Sequence, residues 1–366
     1  MKKTIYLSVL TGITLLVVLW IVAVHSNMET QVPESEDSPD IAAVKRLLSL
    51  GADIWTATAK GSVAGVEMWY DEVLWSYREN PFAHLPPLPF GIPRELPDNN
   101  ITEQGIRNIT AISFCADALS ETDVQFLGTL PNLECISIVS GNLCESLAEV
   151  IGKNLKNVTE LHIREMTLTT SAWRGLAKLP NVSRLWLVRL NLPDESFEEG
   201  AEMSPVELFI AWTPISETGL KKLVRTDRLE EVSWTQMDIS DDITSFFDEC
   251  PKLETIRIED SNIRGHFLAQ MRNTDRLRTL NLHNTNIDDD TLASVLRFEN
   301  LVELSIYGGN VTEASIPLFE TLAKRLGLVV IRSAGMRFEY IFRHRDESIL
   351  HDEFLRKMRQ RGFEFD

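Results

Sequence analysis

The chain has 366 residues, and its 54 acidic against 36 basic side chains leave a formal charge of −18. That balance argues against nucleic acid as a partner, because a phosphate backbone is met by clustered Lys and Arg. A hydrophobic fraction of 44% and a charged fraction of 25% are those of a folded chain.

The first segment reads as a membrane signal. Lys2 and Lys3 precede an uncharged run from Thr4 to Val24. About 20 helical residues at 1.5 Å rise span roughly 30 Å, the thickness of a bilayer's hydrocarbon core. The exit Val22-Ala23-Val24-His25-Ser26 is a poor cleavage site. The expectation is therefore a cytoplasmic tip at 1–3 and an uncleaved single-pass anchor at 4–25. The two lysines place the rest of the chain on the non-cytoplasmic side, in the periplasm or at the cell exterior. Residues 26–40 hold five acids and no base (Glu29, Glu34, Glu36, Asp37, Asp40) and read as a flexible linker.

An N-terminal cap is expected over 41–77. Ile41 to Leu50 has the spacing of an amphipathic helix, ended by Gly51. Ile54 to Thr58 and Val63 to Tyr70 read as two strands. Residues 78–108 form an insertion or degenerate repeat, with six prolines between Asn80 and Asn100 and a short helix returning over Ile101 to Ile109.

From 109 to 338 one frame recurs every 23 to 25 residues, opening at Ile109, Leu133, Val158, Val182, Pro205, Leu229, Leu253, Leu277 and Leu301, with a worn tenth near Leu328. The fourth position is Ile112, Ile136, Leu161, Leu185, Leu208, Val232, Ile256, Leu280 and Leu304. The sixth is Phe114, Ile138, Ile163, Leu187, Ile210, Trp234, Ile258, Leu282 and Ile306. Side chains alternate along a strand, so these two columns point into a core while the third, fifth and seventh face outward. The return segments begin with capping residues, as at Ser216, Ser240, Asp288 and Thr312. Residues 339–366, with Ile349, Leu350, Phe354, Leu355 and Met358 spaced among basic residues, read as a C-terminal cap helix.

The L-x-x-L-x-L frame resembles leucine-rich repeats of the ribonuclease-inhibitor-like kind. The tail Thr213-Pro-Ile215-Ser-Glu-Thr-Gly-Leu220 is similar to the bacterial variant. The resemblance implies an α/β solenoid, a horseshoe with a parallel sheet on its concave face and short helices on its convex face. It also implies protein–protein recognition by that sheet, without chemistry. The ninth position departs from the family's asparagine ladder: it holds Asp117, Gly141, Met166, Leu190, Thr213, Met237, Ser261, Thr285 and Gly309. The ladder's hydrogen bonding must then be met by other groups.

Catalytic and metal signatures are not found in the sequence. His344-Arg345-Asp346 lacks the companions of a kinase loop, and helix capping explains Asp288-Asp289-Asp290 better than a calcium loop does. Cys115, Cys135, Cys144 and Cys250 contain no C-x-x-C pair and are expected as free thiols. No catalytic residue, no metal ligand and no small-molecule cofactor is expected. Five N-x-[ST] sequons, at Asn100, Asn108, Asn157, Asn181 and Asn310, are read as coincidences of the turn pattern.

Function is expected on the outward face. Its middle strands carry His162, Arg164, Arg184, Trp186, Val188 and Phe209, with Arg189 and Trp212 near the edge. Exposed Trp, Phe and Arg in one cluster are the residue types of interface hot spots. The expected function is a membrane-anchored, non-enzymatic module that binds a protein ligand. The alternative is an envelope structural or carbohydrate-binding module, since stacked aromatics also suit sugar rings. A competing arrangement has residues 80–100 folded over the patch.

Overall fold

The computed structural model of the protein describes residues 38–56, 94–95, 101–192, 203–326, 328–332 and 340–343. The expected anchor, most of the linker, residues 57–77, most of the proline-rich stretch and the chain after Arg343 lie outside the described residues. Among the described residues, no helix is long and apolar enough to cross a membrane.

A helix spans Pro39–Ser49 and buries Val44 and Leu47. Among the described residues, thirteen strands follow it in one sheet: β1 (Asp53–Thr56), β2 (Arg94–Glu95), β3 (Ile109–Cys115), β4 (Cys135–Val139), β5 (Glu160–Arg164), β6 (Arg184–Val188), β7 (Glu207–Ala211), β8 (Glu231–Thr235), β9 (Thr255–Glu259), β10 (Thr279–His283), β11 (Glu303–Tyr307), β12 (Leu328–Arg332) and β13 (Tyr340–Arg343). From β3 to β12 each strand pairs in parallel with its sequence neighbours, and the register sets fourth position against fourth position at every junction. This is a solenoid of the leucine-rich-repeat type. The column of Leu304 continues into Val329, so the tenth frame opens at the buried Leu326, two residues before the expected Leu328.

Both ends of the parallel run turn over. β1 lies antiparallel to β3 and to β2, and β13 lies antiparallel to β12. The strand at Tyr340–Arg343 corrects the reading of 339–366 as a helix from its start. Main-chain pairing with β12 is a tertiary contact that the apolar spacing of a helix cannot register.

The core lies between the sheet and the return segments. Trp234, inward from β8, stacks on Phe247 at 5.3 Å and meets Phe246 at 5.6 Å, both on the return helix Thr244–Asp248. Side-chain caps open the return helices: Ser216 accepts the Gly219 N–H, Asp288 that of Thr291, Ser240 that of Asp242 and Thr312 that of Ala314. The helices Glu145–Asn154 and Thr170–Leu176 approach through glycines. A Cβ on Gly152 would lie 2.1 Å from the Gly175 carbonyl oxygen, and one on Gly175 would lie 2.7 Å from the Ala148 backbone.

Two turn ladders stitch the repeats together. The eighth residue of successive repeats is left-handed: Ser140, Glu165, Arg189, Trp212, Gln236, Asp260, Asn284 and Gly308. From Ser140 to Asn284, each of these residues donates its N–H to the seventh-position carbonyl of the following repeat. The second ladder supplies the asparagines absent from the ninth position. Asn132, Asn157, Asn181 and Asn300, each directly before an opening residue, donate side-chain amides to main-chain carbonyls of the preceding repeat at 2.5 to 3.1 Å. At the ninth position itself, Thr213 and Ser261 turn hydroxyls onto strand carbonyls, while Met166, Leu190 and Met237 are buried.

Candidate functional site

The alternation of each strand sends the third, fifth and seventh side chains to the open face of the sheet, and the parallel register sets them side by side. His162, Trp186 and Phe209 are partners on β5, β6 and β7. Their rings form a row, with centroids 5.3 Å apart from His162 to Trp186 and 4.4 Å from Trp186 to Phe209. Both carbon rings are half-buried, which leaves part of each open to a ligand.

Arg189 and Trp212 join the same region from the turn. Both are left-handed eighth-position residues, and the Arg189 guanidinium carbon stands 5.1 Å from the Trp212 ring centroid. Arg189 also reaches Glu165, Nη1 to Oε1 at 3.1 Å, an exposed pair of small worth. Arg164 and Val188 are partners on the seventh positions of β5 and β6, both half-buried.

Two of the expected contact residues are committed elsewhere. His162 is buried, and its Nε2 lies 2.6 Å from Glu160 Oε1. Arg184 grips the other Glu160 oxygen, with Nε at 2.7 Å and Nη2 as a second donor. Burial alone would raise the Glu160 carboxyl. The His162 hydrogen bond and the charges of His162 and Arg184 outweigh it and hold the group down at about 2. The structure thus groups Arg164, Trp186, Val188, Arg189, Phe209 and Trp212 as an accessible patch, bordered by a buried polar triad.

Glu160 was missed by sequence reasoning. It stands two residues before His162 on one strand face and one repeat before Arg184, so the alternation and the 24-residue frame together locate it. Cys135 is its partner on β4, and all four cysteines carry free thiols. Toward β10 the open face is polar, with His283 Nε2 at 2.8 Å from Ser305 Oγ.

No family model matches the chain, and no curated protein does. Solved structures are similar to the chain at low identity. A plant peptide hormone receptor, RGFR1 in complex with RGF2, is 16% identical with a TM-score of 0.31, over 51% of this chain and 38% of the receptor. The TLR13–ssRNA13 complex is 17% identical with a TM-score of 0.40, over 62% of this chain and 36% of that one. InlP of Listeria monocytogenes is 14% identical with a TM-score of 0.31, over 59% and 54%. At these values the likeness fixes neither a ligand nor an activity.

Proposed function

We propose that the chain is a membrane-anchored, non-enzymatic module that binds a protein partner on the open face of its sheet. Trp186, Phe209 and Trp212 serve as apolar anchors, with Val188 beside them and Arg164 and Arg189 as charged contacts. The observation that supports this most is the Trp186–Phe209 ring contact on a face where neighbouring strands carry small or hydrogen-bonded polar side chains. Large aromatic area held rigid at the middle of a sheet is what a binding hot spot needs, because little side-chain entropy is left to lose. The uncharged run 4–24 supports the anchor and a domain on the non-cytoplasmic side.

The test is a crosslinking pull-down from native membranes, comparing the intact chain with one in which Arg164, Trp186, Phe209 and Trp212 are all Ala. Circular dichroism checks that both fold. A partner lost only from the variant supports the site; an unchanged set of partners rejects it. A second reading has one observation in its favour: rings in a row at strand spacing suit the faces of a carbohydrate. Saturable glycan binding by the intact chain, lost in the same variant, would select that reading.

A further inference from the structure

Four side chains stand in a square on the open face, beside the aromatic row. Cys135 and Ser137 come from β4, Glu160 and His162 from β5, and the register makes Cys135 the partner of Glu160 and Ser137 that of His162. All four are buried. One donor atom each from Cys135, Glu160 and His162 lies within 4.8 Å of the other two. Among the described residues, the Ser137 hydroxyl has no hydrogen-bond partner, although the side chain is only 3% exposed. A buried hydroxyl left without a hydrogen bond is costly, so it calls for a partner.

We infer that Cys135 Sγ, one Glu160 carboxylate oxygen and a His162 ring nitrogen form a binding site for a zinc-class divalent cation, with the Ser137 hydroxyl or a water at the fourth place. The donor set is the mixed thiolate, imidazole and carboxylate set that zinc takes and that magnesium and calcium do not. Tetrahedral zinc with bonds of about 2.0–2.3 Å holds its donors roughly 3.3–3.8 Å apart. Entry of the ion therefore opens the 2.6 Å contact between His162 and Glu160 and draws the thiol inward.

The surroundings suit that exchange. Arg184 occupies Glu160 Oε2 and leaves Oε1, now on His162, to the ion. This is the outer contact that orients a ligating carboxylate. The Trp186 ring stands 5.3 Å from His162 and walls one side. Burial first, and then the Glu160 carboxylate, push the Cys135 thiol well above its ordinary range.

The test uses the full chain, purified in detergent under reducing conditions, stripped with a chelator and titrated with Co²⁺ and then with Zn²⁺. The expected result is one equivalent of Co²⁺ with a thiolate-to-cobalt charge-transfer band, displaced by Zn²⁺. Cys135→Ser abolishes the band, and Cys250→Ser keeps it. His162→Gln weakens binding by about 100-fold or more, since losing even an outer contact weakens metal sites about 10–100-fold. In the unmodified zinc-loaded protein, X-ray absorption shows one sulfur at about 2.3 Å. No saturable equivalent, a band that survives Cys135→Ser, or zinc without a sulfur neighbour would each overturn the site.

Discussion

The Arg46 guanidinium and the Asp123 carboxylate meet at 2.7 Å, Nε to Oδ1, and tie the N-terminal helix to the helix Glu121–Leu127 of the first repeat. Asp123 does two jobs. It accepts from the Ser120 N–H at 2.8 Å as half of a capping box, and it binds Arg46. Burial works to raise its carboxyl; the hydrogen bonds from Arg46 and Ser120 outweigh it and bring it to about 2. A folded-state value below the unfolded one stabilises above the unfolded value and is lost as pH falls toward the folded one. The window here is about pH 4 down to about 2. Asp123→Asn should lower the urea midpoint at pH 7, and its midpoint should fall less than that of the unmodified chain between pH 4 and 2.

Gly152→Ala should destabilise the chain by about 1–3 kcal/mol, the usual penalty of overpacking. The added Cβ would sit 2.1 Å from the Gly175 carbonyl oxygen, which is main chain and cannot swing aside. Alanine is the better helix former, so propensity alone predicts the opposite sign. A urea melt decides between them.

Leu280 is fully buried in the fourth-position column, with Ile256 on one side and Leu304 on the other. Leu280→Ala should cost about 2–5 kcal/mol. Each repeat contacts only its neighbours in such an array. Hydrogen exchange should therefore quicken first in β9, β10 and β11, with β3 to β5 less affected.

Gln236 sits at φ 52° in the left-handed turn ladder. Gln236→Val should cost about 1–2 kcal/mol, because a β-branched side chain resists that backbone. Gln236→Gly should stay within about 0.5 kcal/mol of the parent, since relief of strain offsets the extra freedom of the unfolded chain. Paired thermal melts of the two variants read the difference directly.

Much of this was legible in the sequence because it is periodic. The fourth and sixth columns reappear as strand register, and Ser216, Ser240, Asp288 and Thr312 cap the helices that follow them. Free thiols at all four cysteines were also readable from spacing. The remainder depends on contacts that no local pattern encodes. β1 pairs with β3 and with Arg94–Glu95, a choice of partner across the proline-rich stretch; the expected strand over 63–70 lies outside the described residues. Glu160 escaped notice because its meaning comes from Arg184 one repeat away and from His162 across the pleat. The asparagine ladder lies before the first position instead of at the ninth, which gives Asn157 and Asn181 a structural task independent of their sequons.

The antiparallel ends have a consequence for how the molecule behaves in a crowd. A parallel sheet left open at β3 or β12 would present another copy with a matching row of N–H and C=O groups, and growth would have no natural stop. β13 reverses the polarity at one end of the described sheet, so an incoming repeat strand finds the wrong direction there, and β1 does the same beside β3. Beyond β1, among the described residues, the two-residue β2 (Arg94 and Glu95) forms the outermost rung, antiparallel to β1. Edge-to-edge pairing between copies at the ends of the described sheet would therefore meet a two-residue strand or a reversed one in place of a matching repeat strand.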